Sequence, residues 1–278
     1  MPADLVIQGL EIETADLKAL AKLGGASGIE RLDARAFRLR GAAPAAGIAE
    51  LCADRQLDHA YVPVERRLAD FRLLVMDMDS TLITMETVDE LADMVGLKAE
   101  VAAITAQAMR GEIEYDESLR RRVALLKDLD ESALQRVYDE RLELTPGADV
   151  LLRKTQALGM KTLLVSGGFT YVTDRLRTRL KLDRCHSNVL EIAEGRLTGS
   201  VLGDIVNADG KRRALIELRD ELGIASEQVI GIGDGANDLK FLAECGVSVA
   251  FHAKPVVRDK TTHALNHVGL DGVLHLFN

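Results

Sequence analysis

The chain has 278 residues, 47% of them hydrophobic and 28% charged, and its formal net charge is −9 at pH 7. This length suits about two folded domains and excludes a mainly disordered chain, while the net negative charge and the absence of tryptophan predict no nucleic-acid partner. No apolar run reaches about 18 residues, no signal peptide is recognisable and the three cysteines are widely spaced, so we expect a cytoplasmic protein without membrane spans, disulfides or zinc knuckles.

The first 66 residues have the pattern of a separate α+β module. The predicted order is strand, helix, strand, strand, helix, strand, namely Leu5–Ile7, Ala15–Leu23, Gly28–Leu32, Ala36–Leu39, Gly47–Cys52 and His59–Val62. Pro44 is expected to open the second helix. The order predicts a ferredoxin-like antiparallel sheet and resembles that of ACT-like regulatory modules. Such a module would either bind an amino acid or serve only for packing and dimerisation, and its edge strands make a homodimer our expectation.

A short charged segment, residues 64–67, follows this module. We expect few contacts across it, so that a chain beginning near Glu65 would fold without the module. Residues 72–77 then form a nearly continuous apolar strand, as in a parallel sheet that is buried on both faces. Residues 86–140 have helical spacing and almost no strand pattern, and from residue 145 strands and helices alternate. The sequence therefore predicts a doubly wound α/β core of residues 67–85 and 141–278, with a helical cap inserted at 86–140.

Two acidic clusters follow apolar strands of this core. Asp77 and Asp79 come directly after the first strand, and Asp234 and Asp238 follow another at residues 229–232. The carboxyl ends of parallel strands meet at one edge of a sheet, so the four carboxylates are expected to gather there. They cannot all stay ionised without a cation, and oxygen-only ligands favour Mg²⁺.

Two further features suit an anion. Ser166, Gly167 and Gly168 lie between a strand and a helix, where exposed backbone N–H groups and a hydroxyl can hold phosphate, although the same residues also suit an ordinary tight turn. Lys211 begins a predicted helix beside Arg212 and Arg213, and three cations there oppose the helix dipole. A nearby anion would explain one of them, and a solvated basic end would explain the others.

Taken together, the segments DMDST, SGG, the lysine at a helix start and GDGAND resemble the haloacid dehalogenase superfamily of phosphotransferases. The resemblance implies that Asp77 is the nucleophile and Asp79 the general acid and base. It further implies that Mg²⁺ is held by Asp77, the backbone carbonyl of Asp79 and Asp234. The phosphoryl group would be held by Ser166, Gly167 and Lys211, and Asn237 and Asp238 would support the site.

Within that superfamily, residues 72–278 are most similar to the members that hydrolyse O-phospho-L-serine in the last step of serine biosynthesis. The resemblance rests on DMDSTLITMETVDELA, AMRGEIEYDESLRRRVALLKDL, VSGGFTYV, GDGANDLKFL and FHAKP. It implies that Glu86 meets the substrate ammonium and that Arg122 meets its carboxylate. Arg122 also falls on the apolar stripe of a helix, where the alternative is a structural pair with an acid.

The remaining assignments stay open at this point. Met109 and Tyr115 either line the cap pocket or belong to the cap core. Glu86 and Arg122 indicate an amino-acid substrate without fixing its side chain, so a related phosphatase or phosphotransferase acting on phosphohomoserine, phosphothreonine or another small phosphate is an alternative. A non-enzymatic receiver that stores phosphate on an aspartate is a further one. Such a receiver would need neither Asp79 as proton donor nor a helical cap of about 55 residues.

Overall fold

The computed structural model describes residues 2–278, which form two compact units. The first unit holds the residues up to 74, together with 146–160 and 224–278, and the second holds 75–145 and 161–223. None of the helices among the described residues is both long and apolar enough to cross a membrane.

The helices and strands follow the predicted order closely. The strands are β1 Ala3–Gln8, β2 Gly28–Arg31, β3 Ala36–Arg40, β4 Asp58–Pro63, β5 Leu73–Met76, β6 Lys161–Phe169, β7 Arg184–Ala193, β8 Arg196–Leu202, β9 Val229–Gly233, β10 Val247–Phe251 and β11 His263–Leu265. The helices are α1 Thr14–Gly24, α2 Ile48–Asp54, α3 Thr87–Asp93, α4 Lys98–Met109, α5 Tyr115–Ala124, α6 Ser132–Glu140, α7 Ala148–Ala157, α8 Thr170–Leu180, α9 Ala208–Glu221, α10 Leu239–Leu242 and α11 Pro255–Arg258.

The N-terminal part of the first unit is a four-stranded antiparallel sheet in the order β2-β3-β1-β4. Buried Leu5 of β1 stands opposite Leu39 of β3, and the inward side chains pack with those of α1 and α2 in one apolar cluster. The predicted order of strands and helices is confirmed, but Pro44 does not open α2. That helix begins four residues later, behind Gly47 in the left-handed region at φ 89°. The assignment as an ACT-like, ferredoxin-like module stays a prediction.

Several contacts join the N-terminal sheet to residues near the C-terminus, so the expectation that few contacts cross residues 64–67 is wrong. Buried Asp58 accepts backbone hydrogen bonds from Asn266, His267 and Val268, at 2.7, 2.9 and 3.3 Å. Arg38 donates to the carbonyl of Phe277 at 2.7 Å. A chain that begins near Glu65 would leave these groups near the C-terminus without their partners, since buried polar groups are costly when unpaired. The pattern of residues 64–67 does not reveal this, because the contacts come from more than 200 residues away.

The rest of the first unit holds parallel strands. β10 pairs in parallel with both β9 and β11, and every residue of β9 and β10 is buried. β9 ends at Gly233, directly before Asp234, so the predicted delivery of an acidic group by a buried strand is confirmed here.

The second unit combines a small sheet with six helices, α3 to α6, α8 and α9. β6 pairs in parallel with β7, and β7 forms an antiparallel hairpin with β8. Helices α3 to α6 occupy most of residues 87–140, as the helical spacing predicts. Their apolar faces share one buried cluster with Phe169, Leu190, Leu197 and Ile205. The boundaries proposed for the core and the cap stay a prediction.

Candidate active site

Asp77 is the centre of the candidate site in the second unit. The four residues of β5 are all buried, and Asp77 follows them with only 5% of its surface exposed. Its Oδ1 accepts the backbone N–H of Met78 at 2.7 Å and lies 2.8 Å from Nζ of Lys211. The lysine is completely buried, so this is an ion pair shielded from water, and it fixes the direction in which the carboxylate points.

The chain turns sharply after Asp77 and brings Asp79 to the same place. Ser80 takes the left-handed conformation at φ 55°, which a serine adopts at some cost. Oδ1 of Asp79 accepts hydrogen bonds from the hydroxyl of Thr87 at 2.6 Å and from its backbone N–H at 3.2 Å. Burial and the charge of Glu86 raise the pKa of Asp79 to about 7, and the Thr87 bonds and Lys211 oppose the rise. A carboxyl group with this pKa can both give and take a proton near neutral pH.

The Ser166-Gly167-Gly168 segment faces these acids. The structure corrects its expected place at a helix start: β6 continues through it to Phe169, and α8 begins at Thr170. The hydroxyl of buried Ser166 accepts the N–H of Gly168 at 2.8 Å. A Cβ on Gly168 would lie 2.9 Å from Oδ2 of Asp79, so the close approach of Asp79 to this backbone requires glycine.

Asn188, on β7, holds the same segment in place. Its Nδ2 donates to the carbonyl of Gly167 at 2.8 Å, and its Oδ1 accepts the N–H of Val206 at 2.8 Å. The side chain is buried, and its two hydrogen bonds fix the orientation of the peptide group between Gly167 and Gly168. Sequence reasoning missed Asn188, because nothing in a strand pattern indicates which side chain will bond to a neighbouring strand's backbone.

Lys211 is carried by α9, which begins at Ala208 rather than at the lysine. Asn207 caps this helix by accepting the N–H groups of Asp209 and Gly210. The amide of Asn207 also donates to Oδ1 of Asp116, on the cap helix α5, at 3.0 Å. One side chain therefore connects the helix that carries Lys211 with the predicted cap.

Glu86 and Arg122 belong to the segment 86–140, which the sequence predicts as a cap. Glu86 accepts the hydroxyl of Ser80 at 2.7 Å, and the surrounding protein atoms raise the pKa of Glu86, although part of the residue stays exposed. Arg122 is only 8% exposed, and its hydrogen bond to the Ser118 carbonyl is long, at 3.4 Å. Within residues 2–278, no carboxylate lies within 4 Å of its guanidinium, although its charge acts on Glu86 and Asp89 at longer range.

Tyr115 and Met109 differ in where they lie. A Cβ built on Gly167 would collide with the hydroxyl oxygen of Tyr115 and lie 3.2 Å from its Cζ, so the phenol rests on the Gly167 backbone. The charges of Lys211, Arg122, Asp77 and Asp79 act on this hydroxyl, and burial raises the pKa of Tyr115 to about 12. Met109 is 62% exposed at the end of α4, and its role in a pocket stays a prediction.

The first unit holds its own group of polar residues after β9. Asp238 is fully buried, and its Oδ2 accepts the N–H groups of Asp234 and Gly235 at 3.2 and 3.0 Å. These bonds hold the turn that carries Asp234, which is half-buried, as is Asn237. Asp238 therefore holds the backbone of Asp234 in position within this unit.

The predicted metal ligands fit a hard cation by their chemistry. Asp77, the carbonyl of Asp79 and Asp234 all offer oxygen, and such sets suit Mg²⁺ better than a softer metal. Two of the three lie in the second unit and one in the first. Thr87, Asn188 and Asn207 are the residues of the site that sequence reasoning missed, and only the Asx capping pattern before α9 could have indicated one of them.

Comparison with known proteins identifies relatives of most of the chain. Residues 74–243 match the family model of haloacid dehalogenase-like hydrolases, and residues 5–48 match a domain of unknown function. A phosphoserine phosphatase of Polaromonas sp. is 53% identical over 215 residues, which are 76% of this chain and 91% of that protein.

Solved structures agree with this match. A HAD family hydrolase of Salmonella enterica serovar Typhi superimposes with a TM-score of 0.89 at 33% identity, over 99% of this chain and 98% of its own. A structure described as a phospho-aspartyl intermediate analogue of phosphoserine phosphatase gives a TM-score of 0.71 at 34% identity, over 75% of this chain and 99% of that one.

Proposed function

The chain belongs to the haloacid dehalogenase-like hydrolases, and from this premise we propose that it hydrolyses O-phospho-L-serine to L-serine and phosphate. The relatives named phosphoserine phosphatase support the reaction class, a phosphoric monoester hydrolysis. The observation that supports phosphoserine as the substrate is the burial of the Arg122 guanidinium. A buried guanidinium with no carboxylate within 4 Å in the described chain suits an anionic ligand, and its fork matches the carboxylate of an amino acid.

In the proposed reaction, Asp77 attacks the phosphorus of the substrate, and the bond from phosphorus to the seryl oxygen breaks. Asp79 gives its proton to that oxygen, so that L-serine leaves as a neutral alcohol and an aspartyl-phosphate remains on Asp77. Asp79 then takes a proton from a water molecule, whose oxygen bonds to phosphorus while the bond from phosphorus to the Asp77 oxygen breaks. Phosphate leaves, and both carboxyl groups return to their starting states. The pKa of Asp79 near 7 supports both directions of proton transfer.

We assign the phosphoryl oxygens to Ser166, the Gly167 backbone N–H and Lys211. The buried ammonium of Lys211 beside Asp77 places positive charge where the phosphoryl charge develops. Next to this contact, Asn188 holds the peptide that joins Gly167 to Gly168, through the Gly167 carbonyl. At the other end of the substrate, Glu86 would accept the ammonium group, while Arg122 binds the carboxylate.

We propose that Mg²⁺ binds to Asp77, the backbone carbonyl of Asp79 and Asp234, with Asn237 and Asp238 supporting the site. When bound, the ion would neutralise charge on the carboxylate and the phosphate, which otherwise repel each other. Within the first unit, Asp238 holds the Asp234 turn through two backbone N–H groups, which supports its assignment as a brace rather than as a ligand.

A second candidate substrate is another small phosphorylated amino acid, such as phosphohomoserine or phosphothreonine. Glu86 and Arg122 address the ammonium and carboxylate groups that these compounds share with phosphoserine, so these two residues do not choose among them. A non-enzymatic phosphate receiver is less consistent with the site. It would need neither a second aspartate whose pKa is about 7, as that of Asp79 is, nor the helices of residues 87–140 with their large apolar cluster.

The remaining proposals concern the whole chain. We propose that residues 1–66 form a regulatory or dimerising module, that residues 86–140 form the cap, and that the rest forms the catalytic core. A cytoplasmic location accords with three cysteines that are all free, and we propose a homodimer formed through the N-terminal module.

Phosphate release from a panel of phosphorylated small molecules tests this function. Phosphoserine, phosphothreonine, phosphohomoserine and p-nitrophenyl phosphate should be compared with Mg²⁺, with EDTA, and with Mg²⁺ restored. We expect phosphoserine to give the highest kcat/KM, EDTA to abolish activity and Mg²⁺ to restore it. Equal rates in metal-free buffer would contradict the metal assignment, and a preference for p-nitrophenyl phosphate would contradict the amino-acid site.

A further inference from the structure

The hydroxyl of Tyr115 lies at the phosphate end of the site although its helix belongs to the predicted cap. Tyr115 is the first residue of α5, and its ring joins the apolar cluster of the helices. Its hydroxyl oxygen nevertheless rests on the backbone of Gly167, where no side chain could fit. Arg122, which we propose to bind the substrate carboxylate, lies two turns further along the same helix.

Packing alone does not explain a hydroxyl at this position. A phenylalanine would fill the apolar cluster equally well, so packing does not require the hydrogen-bond donor that tyrosine places beside the Gly167 backbone. Among the described residues, no hydrogen bond to this hydroxyl is found. The charges that act on it are those of Lys211 and Arg122, which favour its ionised form, and those of Asp77 and Asp79, which oppose it.

We propose that the Tyr115 hydroxyl donates a hydrogen bond to an oxygen of the phosphoryl group while that group is transferred to and from Asp77. This inference rests on the proposed function and deepens it, because it assigns a phosphate contact to the cap helix. Tyr115 thereby becomes a residue that completes the phosphate site only when α5 lies against Gly167. The proton stays on the phenol at neutral pH, since the pKa is raised to about 12, so the hydroxyl remains a donor.

The phosphate contact predicts a defect that is independent of the leaving group. The variant Tyr115→Phe keeps the ring and loses only the hydroxyl. We expect kcat/KM to fall by about 10-fold or more for phosphoserine and for p-nitrophenyl phosphate alike, as for the loss of a hydrogen bond to a charged group. The inhibition constant of orthovanadate, an analogue of the phosphoryl group, should rise by a similar factor. The inhibition constant of L-serine should not change, because serine occupies the other end.

The matched control is Tyr171→Phe in the same unit, whose hydroxyl donates to Gln135 at 2.6 Å. It should leave both substrates and vanadate unchanged. A Tyr115→Phe enzyme with parental vanadate inhibition, or with a defect confined to phosphoserine, would overturn the proposal.

The test also separates this proposal from the proposed function. Calorimetric titration with vanadate reports on the phosphate end even if phosphoserine proves not to be the substrate. Parental vanadate affinity in Tyr115→Phe then overturns the contact, and a weakened affinity supports it whichever ester the enzyme prefers.

Discussion

Nζ of Lys211 lies 2.8 Å from Oδ1 of Asp77, and neither side chain is more than 7% exposed. Two opposite buried charges compensate each other, and removing either one leaves the other as an uncompensated charge in a region that excludes water. The pair therefore links the geometry of the proposed nucleophile to the stability of the second unit. It also places positive charge beside the carboxylate that we propose as the nucleophile.

The first prediction follows from this pair. Lys211→Ala should lower the free energy of unfolding by about 3–5 kcal/mol and kcat by at least about 100-fold. The double variant Asp77→Asn, Lys211→Met should recover part of the stability and none of the activity. Urea unfolding and phosphate release on the same samples measure both quantities. Parental stability in Lys211→Ala would show that the pair is not the buried interaction described here.

A second prediction concerns the pH dependence of catalysis. The Thr87 hydroxyl lowers the pKa of Asp79 by donating to its ionised form, so Thr87→Val should raise that pKa. Phosphoryl transfer to Asp77 needs a protonated Asp79, and kcat/KM is therefore lost as pH rises through this pKa. The alkaline limb of the kcat/KM profile should move to higher pH. Thr84→Val, at an exposed position three residues earlier, is the control. A shift to lower pH would refute the assignment of Asp79 as the acid.

The third prediction tests substrate recognition. Arg122→Ala should lower kcat/KM for phosphoserine by about 30- to 1,000-fold, equivalent to about 2–4 kcal/mol. It should affect p-nitrophenyl phosphate far less, since that ester has no carboxylate. Arg121→Ala is a matched control on the same helix, because Arg121 is exposed and pairs with Glu117 at 2.7 Å. If both substrates suffered equally in Arg122→Ala, the arginine would have a structural role or bind phosphate.

The fourth prediction concerns the first unit. Asp58→Ala removes a carboxylate that accepts three backbone N–H groups, and we expect stability to fall by about 3 kcal/mol. Asp54→Ala changes an exposed aspartate four residues earlier and should stay within about 0.5 kcal/mol of the parent. Denaturant unfolding distinguishes the two. A neutral Asp58→Ala would mean that the C-terminal segment does not depend on the N-terminal sheet.

The candidate site divides into residues that the sequence could predict and residues that it could not. Asp77 and Asp79 follow a buried strand, and Lys211 lies in the first turns of a helix. Such positions follow from local hydrophobic patterns. The bonds of Asn188 and Asn207 join residues that are 21 and 91 positions apart in the chain, and no local pattern encodes such pairs. Asn207 was within reach as a helix cap, but its second bond, to Asp116, was not.

The fold shows the same division. The order and the approximate ends of the strands follow from local patterns, and the structure confirms them within a few residues. The expectation of few contacts across residues 64–67 is wrong for a different reason. The charge and composition of these residues do suit a linker, but the contacts of Asp58 and Arg38 with the C-terminal segment depend on tertiary packing. Met109 is exposed because it is the last residue of α4, and the sequence around it does not indicate that the helix ends there.

The central claim is that Asp77 carries the phosphoryl group during turnover. Rapid acid quenching of the Mg²⁺-loaded enzyme with phosphoserine, followed by peptide mapping in a mass spectrometer, tests it most directly, with Asp77→Asn as the control. We predict a phosphorylated peptide that contains Asp77 in the parent and none in the variant, which should fold and release no phosphate. Turnover without any phosphorylated peptide, or a phosphoryl group on another residue, would contradict the account.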